Sequence, residues 1–207
     1  MAAHGHLDAL HISIWLRGYA VIIDPGTGCY YHDAKLRNYL ASWEAHNGPR
    51  HAADEDDARP LRHGPFLWAD RHPDPELVLD GQSVGARFRR SLGTVSRTIQ
   101  KTDHGWTITD RSLLAEPIRS NWQIAPEWDV KKISARALKL DRGDLSIIMN
   151  VCEGTNLTLL DCPSDEHHGG ICSQGFRSAC FGARVDLISA QDASRSETTV
   201  WFEHADQ

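Results

Sequence analysis

His4-Gly5-His6-Leu7-Asp8 opens the chain, Asp24-Pro25-Gly26-Thr27 follows, and Ala45-His46-Asn47 comes next. Imidazole nitrogens and carboxylate oxygens suit zinc, and a catalytic or semi-open zinc site commonly uses about three protein ligands. His4, His6, Asp24 and His46 supply four candidates, one more than such a site needs. The same residue types also serve acid–base chemistry, because imidazole titrates near neutrality. A dense polar cluster this close to Met1 leads us to expect a further segment before it.

These residues need elements to bring them together. Residues 11–16 alternate in part, residues 19–24 are rich in β-branched side chains, and Arg17-Gly18 lies between them. That pattern predicts a β-hairpin with a glycine in its turn. Asp24-Pro25-Gly26 is then a turn, since proline presets φ and glycine admits positive φ. A two-residue turn pairs position 24 with position 11. His6 then lies five residues beyond the pairing point, roughly 16 Å along an extended strand. Two readings stay open. Residues 4–9 curl back over the sheet, which Gly5 permits, or the hairpin stays flat and Asp24 merely neighbours His11 across the strands.

Farther on, Leu36, Tyr39, Leu40 and Trp43 repeat at helical spacing, and Asp33 is placed to cap them. We expect one short helix over about 33–46. Residues 48–75, rich in Pro, Asp, Arg and His, read as a long irregular loop. From residue 77 short strands follow one another: 87–92, 94–101, 106–110, 134–140, 144–151, 157–161, 179–188 and 198–203. Turn residues separate them, as in Asp103-His104-Gly105 and Asp141-Arg142-Gly143. The expected fold is all-β, an antiparallel multi-stranded β-sandwich forming a single domain over 1–207. Trp106, Trp122, Trp128 and Trp201 are assigned to packing.

Composition narrows the function. The chain has 207 residues, with 22 Lys+Arg against 28 Asp+Glu and a net charge of −6. That balance argues against a nucleic-acid surface. No apolar run reaches the roughly 20 residues of a membrane span, and no signal peptide is legible. The five cysteines, Cys29, Cys152, Cys162, Cys172 and Cys180, form no CxxC pair. They read as free, mostly buried thiols, with room for one bridge among the last four. Asp54-Glu55-Asp56-Asp57 and His167-His168 read as solvated loops.

The pattern His-Gly-His-x-Asp-x-Leu, a hairpin, Ile-Asp-Pro-Gly-Thr and a short helix ending in Ala-His-Asn resembles the heparinase II/III family of polysaccharide lyases. The likeness is to their C-terminal β-sandwich module. Arg97-Thr98-Ile99 with Gly105–Asp110 resembles that module's paired strands, and Ser178-Ala179-Cys180-Phe181-Gly182 its late strand. The resemblance implies β-elimination in an acidic, uronic-acid-containing polysaccharide. A base removes the C5 proton, the carboxylate is neutralised and the 4-oxygen leaves, so stabilising the developing negative charge is the crux. It implies a catalytic role for His4 and a metal site, usually zinc, at His6, Asp24 and His46. The metal would be mainly structural, pinning the loop so that His4 faces the cleft.

The resemblance also implies an N-terminal helical toroid carrying the catalytic tyrosine, to which Tyr30 and Tyr31 do not correspond. The expected partners are therefore the polysaccharide and a missing or separately encoded helical domain. The isolated chain is expected to be lyase-like but incomplete, prone to self-association, and periplasmic or secreted as part of a full-length enzyme. A non-catalytic glycan-binding or interaction sandwich is the alternative. A cupin-like metal enzyme is a third reading, which lacks a glutamate close after His6. The ligand set also accepts manganese, iron or nickel.

Overall fold

The computed structural model describes residues 2–3, 5–29, 31–53, 62–63, 67–68, 74–90, 92–161, 169–175, 177–190 and 196–204. His4, the acidic run 54–57 and His167-His168 lie outside the described residues, as do the expectations attached to them.

Two antiparallel sheets face one another. The larger has eight strands, in the order Asp129–Ser134, Ala137–Arg142, Leu145–Val151, Ser196–His204, Gly105–Ser112, Thr94–Thr102, Ser83–Arg89 and Glu76–Asp80. The smaller runs Thr155–Leu160, Arg184–Ser189, Ile118–Gln123 and Arg50–His51. Alternation along the strands builds the layer between them. Leu145–Val151 buries every second residue, placing Leu145, Ile147, Met149 and Val151 inward. Ile108, Leu138, Leu140, Val200 and Phe202 join them from the large sheet, and Trp122, Leu157, Val185 and Leu187 from the small one. Each such side chain contributes about 1.5–3 kcal/mol when buried, and a one-residue slip would turn the whole set outward, so the core also fixes register. This is the all-β sandwich that the sequence predicts. Among the described residues no helix is long and apolar enough to cross a membrane.

Several boundaries differ from the sequence reading. The α-helix runs only from Ala34 to Leu40, and a 3-10 turn covers Trp43–Ala45. Asp33 caps it as expected, its Oδ1 accepting from the Leu36 N–H at 2.9 Å. The helix stops because its last carbonyls have other partners. Ser42 Oγ donates to Tyr39 O at 2.6 Å, and the Leu7 N–H donates to Ala41 O at 2.9 Å. Residues 134–140 divide between two strands that meet at a bulge near Ser134. Residues 179–188 are also two strands, Cys180–Gly182 and Arg184–Ser189, in different sheets. The span 48–75 is not wholly irregular, since Arg50–His51 pairs with Ile118 and Arg119. Arg62–His63 and Leu67–Trp68 form a small sheet with Ala2–Ala3.

The hairpin that carries Asp24 is Ile14–Leu16 with Tyr19–Ile22. Its turn is Arg17-Gly18, with φ of +48° and +85°, the left-handed pair that a two-residue hairpin turn requires. The register shifts between Ile14 and Trp15, whose partners are Ile22 and Ala20, so Val21 is the extra residue of a bulge in the second strand. The hairpin docks on the end of the small sheet. The Ile23 N–H donates to Gln123 O at 3.0 Å, the Ala125 N–H to Val21 O at 2.9 Å, and Trp128 Nε1 to Ala20 O at 2.6 Å. Asp24 therefore leaves a fixed platform.

Candidate metal centre

Residues 5–11 curl back. Leu10 takes φ of +63°, and the His11 N–H closes a turn on Asp8 O at 2.8 Å. Leu7 is buried in a small cluster with Ala41, Trp43, Phe88 and Val95, which seats the curl on the outer half of the large sheet. Gly48 lets the two segments touch, because a Cβ there would overlap the Ala9 carbonyl oxygen.

Asn47 splices the curl to the segment carrying His46. Its Oδ1 accepts from the Ile12 N–H at 3.0 Å and its Nδ2 donates to Ile12 O at 2.7 Å, so one side chain imitates a strand partner. Arg97 then ties both segments to the sheet. It donates to both carboxylate oxygens of Asp110 at 2.7 Å, to Leu10 O at 3.0 Å, and to Asn47 Oδ1 and Asn47 O at 2.7 Å. These five bonds use all the N–H groups that a guanidinium owns.

The curl brings His6, Asp24 and His46 together, with one ligand-capable atom of each within 4.8 Å of the others. His46 is fully buried, and its Nδ1 donates to Ser42 O at 2.7 Å. A carbonyl can only accept, so in the neutral ring the proton is on Nδ1 and Nε2 presents a lone pair. That Nε2 has no hydrogen-bond partner among the described residues and faces Asp24 Oδ2 at 3.5 Å. Two electron-rich atoms facing each other suit a cation between them. Ligands about 2.0–2.1 Å from a tetrahedral metal lie roughly 3.4 Å apart, which matches the observed spacing. His6 Nε2 accepts from Arg37 Nη1 at 2.8 Å, so its one lone pair is engaged by the guanidinium here, and that bond must give way for Nε2 to ligate.

Asp24 anchors its turn through Oδ1, which accepts from the Gly26 N–H at 2.8 Å. Burial raises its pKa, but the His46 ring, in the form that carries a proton on Nε2, and the Gly26 N–H outweigh burial and hold the carboxyl well below the usual carboxylate range. It stays a carboxylate at neutral pH, as a ligand must. His11 stands edge-on to His46, with ring centroids 5.3 Å apart. Burial, then His46 and Arg97, lower its pKa to about 3, with Asp24 opposing, so it stays neutral.

The residues named from spacing thus include His6, Asp24 and His46 in one cluster, while His4 lies outside the described residues. Sequence reasoning treated His11 only as a neighbour of Asp24 and missed Arg37, Asn47, Arg97 and Asp110 as positioning residues. One signal was legible. Arg97 sits where the inward alternation Val95, Arg97, Ile99 calls for an apolar residue, and Asp110 is its direct partner across the ladder.

A two-sheet sandwich with a histidine–aspartate cluster at the mouth of a docked hairpin defines the class: an all-β module with a candidate metal centre. The sequence matches the family described as "Heparinase II/III-like, C-terminal" over residues 1–179, and the chain belongs to it. The fold is similar to that of heparinase III, the BT4657 gene product, with a TM-score of 0.70 and 13% identity, covering 98% of this chain and 31% of that one. It is also similar to the heparan sulfate lyase HepC from Pedobacter heparinus, with a TM-score of 0.69 and 11% identity, covering 99% of this chain and 32% of that one. The chain therefore spans about a third of the length of these solved structures. Comparison with curated proteins finds no match.

Proposed function

We propose that the chain is the C-terminal module of a polysaccharide lyase that cleaves uronic-acid-containing glycans by β-elimination, and that it holds a divalent metal, zinc by preference, at His6, Asp24 and His46. The observation carrying the metal reading is the buried His46 Nε2, its tautomer set by Ser42 and its lone pair aimed at the Asp24 carboxylate. Family membership carries the lyase reading.

A metal there neutralises the crowded lone pairs and ties the curl, the hairpin and the segment after the helix into one unit. This chain's residues do the positioning. His46 orients its ring through Ser42, Arg97 and Asn47 hold the segments, and His4, two residues before His6, is proposed to act on the glycan. Helical residues outside this chain are proposed to supply the remaining acid–base groups, so the isolated module is expected to be inactive. A full-length enzyme of this kind acts outside the cytoplasm, where polymeric glycans are met.

Elemental analysis of the purified chain beside His6→Ala and His46→Ala tests the metal reading. The expected result is about one zinc per wild-type chain and a loss of at least tenfold in each variant. Wild-type protein that binds none, even after zinc is supplied, overturns it. The lyase reading is tested by following the ultraviolet absorbance of unsaturated uronate products on heparan sulfate and alginate. The helical domain is supplied, and His4→Ala is run alongside. Activity unchanged by His4→Ala refutes the assigned role of His4.

A further inference from the structure

The proposed metal centre does not use the two cysteines at the end of the short hairpin behind Asp24. Gly170–Cys172 and Cys180–Gly182 form a two-stranded antiparallel ladder in which Cys172 and Cys180 are direct partners. Residues directly opposite in an antiparallel pair project to the same face. Their Cα atoms lie about 4.5 or about 5.5 Å apart, depending on the hydrogen-bonding class. Both separations fall inside the window that a disulfide spans, roughly 4.4–6.8 Å. The side chains already cross the ladder. Cys172 Sγ lies 3.6 Å from Cys180 O, and Cys180 Sγ lies 3.4 Å from Cys172 O. Both are free thiols, Cys172 buried and Cys180 half-buried.

The segment between them backs the Asp24 turn. The Ser173 N–H donates to Pro25 O at 2.7 Å, and the Arg177 N–H to Gly28 O at 2.8 Å. Gly26 packs so closely on this segment that a Cβ there would overlap Ser173 O. Cys172 and Ser173 also line, with Asp24, Trp15, Tyr19 and Arg142, a groove of about 430 Å³. Whatever fixes the 172–180 loop therefore fixes the rear wall of the aspartate's turn.

We propose that Cys172 and Cys180 are a disulfide-forming pair, and that their bridge locks the loop that buttresses Asp24. The oxidant is a small-molecule disulfide of the oxidised-glutathione class. The Cys180 sulfur, the more accessible, attacks as thiolate and expels one reagent thiol, leaving a mixed disulfide. The Cys172 sulfur then attacks the Cys180 sulfur and expels the second. Two protein thiols are oxidised, the reagent's two sulfurs are reduced to thiols, and both protons leave with them. Burial, with Cys180 next, pushes the Cys172 thiol up, in keeping with its attacking second. The pairing stands whether or not Asp24 holds a metal.

The test equilibrates the whole chain with oxidised glutathione, blocks free thiols under denaturing conditions and digests without reduction. Trypsin with a glutamate-specific protease leaves residues 167–177, with Cys172 as their one cysteine, and residues 178–184, with Cys180. The expected product is these two fragments joined, with the count of free thiols falling by two from five. In Cys172→Ser, Cys180 should stop at the glutathione adduct. Hydrogen exchange at Ser173 and Arg177 should slow about tenfold in the bridged protein. Full alkylation of both cysteines, or bridging of Cys180 to Cys29, Cys152 or Cys162, overturns the pairing. A bridge that leaves both exchange rates unchanged overturns the buttressing role.

Discussion

Replacing Arg97 by methionine should both destabilise the sandwich and loosen the histidine cluster. Arg97 is 2% exposed and its partner Asp110 1%. Methionine keeps the apolar stem and removes five donors. Asp110 is left as a buried, unpaired charge, and removing one partner of such a pair costs about 3–5 kcal/mol. For a chain of this size each kcal/mol moves the melting point by roughly 2–4 °C, so a drop of roughly 6–20 °C is expected. A neighbouring pair supplies the control. Arg111 and Glu197 are 2.8 Å apart, nearly the same distance, but 58% and 33% exposed. Exposed pairs contribute about 0–1 kcal/mol, so Arg111→Met should barely register.

The comparison sets a buried arginine with five hydrogen bonds against an exposed pair joined by one bond at a similar distance. Arg97→Lys keeps the charge but offers three donors without the fork, so it should fall between wild type and methionine. The double change Arg97→Met with Asp110→Leu should lose less than the sum of the two single changes, by at least about 1 kcal/mol. Urea denaturation of the wild type and the five variants gives these values. Hydrogen exchange at Ile12, whose N–H is held by Asn47 Oδ1, reports the loop. An Arg97→Met loss no larger than that of Arg111→Met would refute the argument, as would unchanged exchange at Ile12.

Asp33→Ala should remove the helix cap and cost about 1 kcal/mol, read as a melting-point loss of a few degrees by calorimetry; no loss would mean that the Leu36 N–H finds another acceptor. Gly48→Ala should displace the curl at Ala9 and cut zinc retention while the sandwich core stays folded, a combination visible as retained strand circular dichroism with reduced metal content. Tyr39 has its pKa raised by burial, with Arg184 opposing, so the folded state keeps its proton where the unfolded chain loses it. Its contribution is thus complete below the unfolded pKa of about 10 and is lost as pH rises through the higher folded value. Wild-type stability should fall more steeply than that of Tyr39→Phe between pH of about 9 and about 11, as urea midpoints would show; parallel curves would sink this account.

What the sequence made legible follows from which residues obey simple periods. Leu145–Val151 and Gly105–Ser112 alternate across one buried face, and both were readable. Ile118–Gln123 was missed because both of its faces are covered. Ile118 and Trp122 sit in or beside the core, while Asn121 and Gln123 are equally buried beneath the helix. There Asn121 accepts from Arg50 Nη2 at 2.5 Å and donates to Asp186 Oδ1 at 2.5 Å, and Gln123 donates to the Tyr39 hydroxyl at 2.8 Å. A strand whose polar residues are buried as deeply as its apolar ones shows no period of two. The break at Gly182-Ala183, where the chain passes between sheets, carried one local signal, the glycine itself, which a lone position inside an apolar run left unread; a Cβ there would overlap Ile124 O.

The cluster divides in the same way. The residue types of His6, Asp24 and His46 are local facts; spacing named them with His4 as four candidates, and the family resemblance singled out the three. Their convergence is not local. A regular hairpin places His6 roughly 16 Å from its partners, and closing that distance takes Leu10 in the left-handed region and an anchor for the curl. The anchor, Arg97, lies fifty positions beyond Asn47 and belongs to the large sheet. Its charge is tolerable in the interior only because Asp110 faces it across the ladder and the loop carbonyls consume its remaining donors. Sheet and loop therefore satisfy each other's buried polar groups, and neither half of that bargain can be read without the other. The same reasoning makes the Arg97 experiment informative about function as well as stability. If His6 and His46 are held by the sheet, changes on the Thr94–Thr102 strand must reach the histidine–aspartate cluster without touching any of its members.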